Sequence, residues 1–307
     1  MVNSGFRVVG IDNFDAFYNR GLKQRNLAEL QSAAFEFVEA DIRDRQAMSS
    51  LMSRHQPQAV FHLAALAGVR PSIADPARYV SVNVDGLASV LDAARGAQCS
   101  TVLFASSSSV YGNNRKVPFA ETDPVDEPIS PYAATKRAGE LICHTYSHLF
   151  GIRIGCLRFF TVYGPAQRPD LAISSFMRLI SDGREVPMYG DGTTSRDYTY
   201  IDDIVAGIMA AHDYLAQAPP SFCRIWNLGG SSPVALRELI ESIGRVVGRT
   251  PRIRQFPMQP GDVDRTWADL TRSAAELGYE PRMPFDEGLQ RQWAWMQRMQ
   301  LAMSPVA

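Results

Sequence analysis

Residues 7–12 read Arg7-Val8-Val9-Gly10-Ile11-Asp12. A short β-branched run closed by a carboxylate has the pattern of a strand covered on both faces. Phe35 to Ala40, Ala59 to Ala65, Thr101 to Ala105 and Arg153 to Phe160 repeat it. Amphipathic stretches at 20–33, 43–55, 76–97 and 131–150 lie between them. This alternation predicts an α/β fold with a doubly wound parallel sheet and helices on both faces. After residue 163 the rhythm changes. Helical segments at 171–183, 202–216, 234–248 and 285–302 are parted by loops such as Gly190-Asp191-Gly192, Ala218-Pro219-Pro220 and Pro257 to Gly261. One more strand, Ile225 to Leu228, ends in Gly229-Gly230. The expected division is a dinucleotide-binding domain over 1–163 and a smaller domain over 164–307. The strand near 225–228 is expected to return to the first domain.

Composition bounds the partners. The 307 residues are 46% hydrophobic and 21% charged, with a formal net charge of −1. That balance gives no electrostatic footprint for nucleic acid or an acidic membrane. The longest apolar run, Ala59 to Val69, contains His62 and is far short of the roughly 18 residues that span a bilayer. Cys99, Cys143, Cys156 and Cys223 are widely spaced, with no C-x-x-C and no histidine at ligand spacing. No metal site or disulfide framework is expected, and reduced cysteines fit the cytoplasm.

Asp12 closes its strand where a carboxylate bonds the ribose 2′-hydroxyl of NAD and repels the 2′-phosphate of NADP. Asp41 and the run Leu63-Ala64-Ala65 end the next two strands, where an adenosine meets such a sheet. A glycine loop normally precedes that carboxylate by about 20 residues and brings backbone N–H groups to the pyrophosphate. The chain contains neither G-x-G-x-x-G nor G-x-x-G-x-x-G. The expectation is that the first strand, the glycine loop and most of the first helix lie upstream of Met1. The chain as given is then expected to bind NAD weakly and to fold marginally, with open inner sheet edges.

Tyr132-Ala133-Ala134-Thr135-Lys136 carries the chemistry. Ser130-Pro131 reads as helix cap and first helical residue, so Tyr132 and Lys136 share one face. A nearby ammonium lowers a phenol's pKa and makes a base for a sugar hydroxyl. Lysine is rare here, at Lys23, Lys116 and Lys136 alone. Ser106-Ser107-Ser108-Ser109-Val110-Tyr111-Gly112 follows the strand that ends at Ala105, and offers a hydroxyl to the reacting oxygen.

These motifs, with LRFFTVYGP, RPDLA, RDYTYIDDIV and MQPGDVDRTWAD, run from residue 8 to about 291. In that order they resemble the extended short-chain dehydrogenase/reductase family, and within it the nucleotide-sugar epimerases. The resemblance implies a Rossmann-like sheet with a smaller C-terminal α/β substrate domain, an NAD cofactor and a UDP-sugar substrate. It implies Tyr132 as base, Lys136 as its partner, and Ser107, or alternatively Ser109, as the assisting hydroxyl. It places Asp12, Asn13, Asp41, Ile42, Leu63, Ala64, Ala65 and Asn83 along NAD, with Phe159 and Phe160 beside the nicotinamide. Thr161 falls at the sugar or diphosphate. Arg196, Gln259 and Asp262 fall in the nucleotide-diphosphate pocket, with Leu171 and Tyr189 near the phosphates and base. The missing glycine loop is the main departure.

The reaction is read from the serine loop. Related 4,6-dehydratases carry an Asp-Glu pair just after the catalytic hydroxyl, and related decarboxylases a glutamate. Here those positions are Ser108 and Ser109. Hydride removal, rotation of a 4-keto sugar and hydride return remain, which is 4-epimerisation. Arg168-Pro169-Asp170 resembles the UDP-glucuronate 4-epimerases, where an arginine meets the sugar carboxylate, so UDP-glucuronate is favoured and UDP-glucose/galactose is next. The alternatives are an inactive remnant or sugar-nucleotide-binding protein and, behind these, a dehydratase. A homodimer is expected through the helices near 83–97 and 131–150, with Leu141, Ile142, Thr145, Tyr146 and Leu149 as an apolar stripe.

Overall fold

The computed structural model describes residues 1–258 and 263–301. The chain opens as β1 (Val8–Asp12), α1 (Arg20–Ala28), β2 (Phe35–Glu39), α2 (Arg45–His55) and β3 (Val60–His62). Next come α3 (Val69–Ala74), α4 (Pro76–Val80), α5 (Gly86–Gly96), β4 (Thr101–Ser107), α6 (Pro131–Phe150) and β5 (Arg153–Phe159). The remainder begins with β6 (Thr161–Tyr163), α7 (Ala172–Ser181), β7 (Glu185–Tyr189), β8 (Ser195–Tyr200) and α8 (Ile201–Gln217). It ends with β9 (Cys223–Leu228), β10 (Pro233–Ala235), α9 (Leu236–Val247), β11 (Arg252–Phe256), α10 (Thr271–Leu277) and α11 (Phe285–Leu301).

The fold is α/β with parallel sheets. β3, β4, β5 and β9 form one parallel sheet in that order, and β1 and β2 form another. Among the described residues no strand pairs β1 with β3. β6, β8 and β10 make a small mixed sheet, and β7 pairs with β11. The four-stranded sheet is covered on both faces. Phe104, Ile154 and Cys156 pack with Leu87, Leu91 and Cys143 of α5 and α6. Leu103, Leu157 and Trp226 pack with Ala211 and Leu215 of α8. A separate core joins Tyr163, Phe176, Met177, Leu239, Ile243 and Leu289 beyond β5. All four cysteines are free thiols.

Local chemistry explains α6. Ser130 accepts from the Ala133 N–H at 3.2 Å, Pro131 sits at the first helical position, and Gly151 ends the helix at φ 74°. Elsewhere the boundaries shift. The stretch expected as one helix over 76–97 is α4, a wide π turn at Ser81–Asp85, and α5. In that turn Asn83 bonds the Leu66 backbone and the Thr135 hydroxyl. β3 is shorter than expected because Leu63 to Ala65 leave the sheet and line a cavity. α1 stops at Ala28 and buries no residue.

α6 comes so close to β4 that a Cβ on Gly139 would stand 2.4 Å from Phe104 Cζ. The Phe104 ring is 1% exposed and stacks on His62, so it has nowhere to go. Gly139→Ala gains about 1 kcal/mol of helix propensity but incurs about 1–3 kcal/mol of overpacking. We expect a net loss, seen as a melting temperature about 2–4 °C lower by circular dichroism. A melting temperature at or above the parent's would show that the contact yields freely.

Candidate active site

The site is built from the carboxyl ends of the parallel strands. β1 ends in Asp12, and its turn carries Asn13. The Asp12 carboxylate accepts from the Phe14 N–H at 2.6 Å. Asp41, just beyond β2, accepts from the Asn13 amide at 3.0 Å and from Arg43 Nη2 at 2.7 Å. The Arg43 bonds hold its carboxyl well below the usual carboxylate range. Ile42, Leu63, Ala64 and Ala65 complete the wall. These residues share a cavity of about 190 Å³ with Phe17, Tyr18, Lys23 and Arg168. That is below the about 300–1,000 Å³ of a complete small-molecule site, and suits one end of a dinucleotide.

The second cluster lies where β4 meets the start of α6. Ser107 Oγ donates to Ser109 Oγ at 3.0 Å and accepts from the Ser109 N–H. It is also close enough to the Tyr132 phenol to favour its ionised form. Ser107 is thus the serine beside the tyrosine, and Ser109 sits behind it. The Tyr132 ring meets Tyr79 edge-on, with centroids 6.3 Å apart. Lys136 Nζ donates to the Ala105 carbonyl at 2.6 Å and lies 5.1 Å over the Phe104 ring.

The electrostatics correct one expectation. Burial raises the Tyr132 phenol above its ordinary value, outweighing Ser107 and the positive charge of Arg168. Lys136 does not lower it here, because its ammonium is turned to the Ala105 carbonyl. Burial in turn depresses Lys136 to about 8.

The remaining expected residues scatter. Asn83 is buried behind the cavity wall, with its amide engaged by Leu66 and Thr135. Phe159 ends β5 and packs toward α8, while Phe160 is buried against Tyr111. Thr161 opens β6 opposite Tyr198. Leu171 is the cap residue of α7. Arg196 on β8 donates to the Ser195 carbonyl at 2.9 Å. Gln259 and Asp262 lie outside the described residues. Arg168 is paired with Asp170 and stands 4.9 Å over the Phe17 ring, inside the cofactor-side cavity.

Several participants escaped sequence reasoning. Phe17, Tyr18 and Lys23 come from the loop and helix after β1, and only an aromatic-rich Asn13-Phe14-Asp15-Ala16-Phe17-Tyr18 hinted at them. Arg70 on α3 lies 5.0 Å over the ring of Tyr189 on β7, across two distant elements.

The sequence-family model described as GDP-mannose 4,6 dehydratase matches residues 1–292. The chain is 39% identical to a probable UDP-glucuronate 4-epimerase of Rhizobium meliloti, over 96% of this chain and 91% of that protein. It is 38% identical to a UDP-glucuronate 4-epimerase of Thermodesulfobacterium geofontis, over 96% and 90%. The chain belongs to the nucleotide-sugar epimerases of the extended short-chain dehydrogenase/reductase family. Its fold matches the Bacillus cereus UDP-glucuronic acid 4-epimerase, crystallised with UDP-glucuronic acid and NAD, at a TM-score of 0.90. The two are 32% identical over 97% of this chain and 93% of that one. A UDP-glucose 4-epimerase of Thermotoga maritima matches at 0.88 with 28% identity, over 97% and 93%.

The cavity offers Asp12, Asn13 and Asp41 as groups that could hold an adenosine, and the second cluster offers the hydroxyls of Tyr132 and Ser107 and the Lys136 ammonium. Between them the cavity wall carries two cations, Lys23 and Arg168, able to face a diphosphate.

The Lys136 depression has a consequence for stability. A fall from 10.5 to about 8 corresponds to about 3 kcal/mol of cost to the folded state while the ammonium is charged. The cost is complete below about pH 8 and vanishes as pH rises toward 10.5. Lys136→Met removes it but forfeits about 1 kcal/mol from the bond to Ala105. We expect the variant to be inactive yet about 2 kcal/mol more stable at pH 7 by urea denaturation, with the advantage gone near pH 10. Lower stability than the parent at pH 7 would count against a buried ammonium.

Proposed function

We propose that this chain is an NAD-dependent epimerase that interconverts UDP-glucuronate and its 4-epimer. The carrying observation is the junction of β4 and α6, where Lys136 donates to the Ala105 carbonyl at 2.6 Å and Tyr132 stands within the influence of Ser107 and of the Arg168 guanidinium. NAD, when bound, supplies a reversible hydride acceptor. Tyr132, as phenolate, takes the proton of the 4-hydroxyl. Ser107 holds the same oxygen, and Ser107 together with the Arg168 charge favours the phenolate. The 4-keto sugar rotates, so that the hydride would return to the opposite face of C4 while Tyr132 gives its proton back to the oxygen. Asp12, Asn13, Asp41, Ile42, Leu63, Ala64 and Ala65 hold the cofactor's adenosine end, with Asn83 bracing that wall and Phe159 and Phe160 backing the nicotinamide end. Thr161, Leu171, Tyr189, Arg196, Gln259 and Asp262 serve the nucleotide and its diphosphate.

The matching family model is described by a dehydratase, but elimination needs an acid and a base beside the hydroxyl. Ser108 and Ser109 supply neither, which favours epimerisation. Arg168 favours a carboxylated sugar, since a guanidinium binds carboxylate through two parallel bonds. UDP-glucose is the second reading, favoured by the likeness to the Thermotoga maritima structure.

The test is turnover with NAD and each UDP-sugar, followed by NMR of the sugar C4 configuration. Tyr132→Phe should lower turnover by at least about 10²-fold while sugar-nucleotide binding persists. Arg168→Gln should lower kcat/KM for UDP-glucuronate by about 10²-fold and much less for UDP-glucose. Equal losses for both sugars would move Arg168 to the diphosphate. Binding without turnover in the parent would favour a sugar-nucleotide-binding protein.

In the same reading the chain divides near residue 163 into cofactor and nucleotide halves and forms a homodimer through α5 and α6. Leu141 and Leu149 are 53% and 62% exposed and are left for a partner, whereas Ile142 and Tyr146 of the expected stripe pack on the core of their own sheet. No described helix is long and apolar enough to cross a membrane, and four free thiols suit a reducing cytoplasm. Light scattering at micromolar concentration should give twice the chain mass, and Leu141→Asp with Leu149→Asp should give the monomer. A monomeric parent would refute the dimer.

A further inference from the structure

A charged group stands behind the serine loop. Ser106, the penultimate residue of β4, is buried and donates to Glu140 Oε1 at 2.6 Å. Glu140 lies one turn beyond Lys136 on α6. Arg158 of β5 grips its carboxylate through Nε at 2.8 Å and Nη2 at 2.9 Å. Both side chains are 1% exposed. The same guanidinium lies 4.8 Å over the Tyr111 ring, and the Tyr111 hydroxyl donates to Asn227 at 2.7 Å. The loop is therefore tied down at Ser106 and again at Tyr111. Ser107 lies between the two ties.

Stability alone is a poor reason for this arrangement. A buried ion pair is often no more stable than apolar side chains of the same volume. Direction is a better one. Successive side chains of a strand point to opposite sides, so fixing Ser106 on one side of β4 fixes the aim of Ser107 on the other. The pair also joins the three elements that must keep register: β4 with the serines, α6 with Tyr132 and Lys136, and β5 beneath them.

We propose that Ser106, Glu140 and Arg158 are positioning residues, a buried clamp that aims the Ser107 hydroxyl at Tyr132. The proposal rests on Tyr132 and Ser107 being the reacting pair. Ser106→Ala tests it without disturbing the ion pair, so the variant should fold. In the full chain with NAD and UDP-glucuronate, kcat should fall about tenfold while KM stays within about twofold and the melting temperature hardly moves. The acidic limb of the kcat–pH profile should move to higher pH, because the Ser107 contact that favours the phenolate is weakened. In a Ser107→Ala background, Ser106→Ala should cost less than about twofold further, since it acts through Ser107. An unchanged kcat and pH limb in Ser106→Ala, with Ser107→Ala slow, overturns the clamp. Multiplying effects in the double variant also overturn it, by showing that Ser106 acts independently of Ser107. A fully active Ser107→Ala overturns the reading of the reacting pair, and the clamp falls with it.

Discussion

The close approach of α6 to β4 at Gly139 is the contact on which the site depends. Without a side chain at that position, the Phe104 ring fits directly beneath the helix. The helix is then near enough for Lys136 to reach the Ala105 carbonyl at 2.6 Å and for Glu140 to reach the Ser106 hydroxyl at 2.6 Å. One missing Cβ thus brings Lys136 and Glu140 within hydrogen-bonding range of β4. The neighbouring His62 ring stacks on Phe104, and burial with the nearby Lys136 charge depresses it to about 3. It is neutral at physiological pH and adds no second cation to the interface.

Three charged side chains share this dry boundary, and their environments divide the work. Glu140 is held by Arg158, Ser106 and Arg137, while Arg158 keeps one buried nitrogen without a partner, so the pair contributes orientation more than stability. Among the described residues Lys136 has no carboxylate partner, and its depressed pKa records the cost. A cation held at a cost to stability beside a reacting phenol is a common sign of function. The cofactor-side cavity follows the same logic in milder form, with Asp41 made permanently anionic by Arg43 while Lys23 and Arg168 line the wall.

Much of this was legible in the chain. α6 begins and ends where Ser130, Pro131 and Gly151 dictate, because caps and turns act over only a few residues. The parallel strands were read from short β-branched runs, Asp12, Asp41, Tyr132 and Lys136 from their places at strand and helix ends, and the serines only as a run. β6, β8 and β10 were missed, since strands of three to six residues in glycine-rich surroundings exist only through their partners. The break between α4 and α5 was missed because Asn83 answers to Leu66 and Thr135, far off in sequence.

By itself, then, the sequence determined the alternation of elements, the caps, the pairing of Tyr132 with a lysine one turn away, and a serine loop without carboxylates. These are matters of local spacing. Tertiary structure alone decided where Lys136 points, which serine meets Tyr132, and that Arg168 enters a cavity with Phe17 and Tyr18. It also decided the sign of the Tyr132 shift. A lysine four residues on argues for a lowered phenol, but burial is a property of the packed molecule, and in the ligand-free fold desolvation outweighs the neighbouring charges.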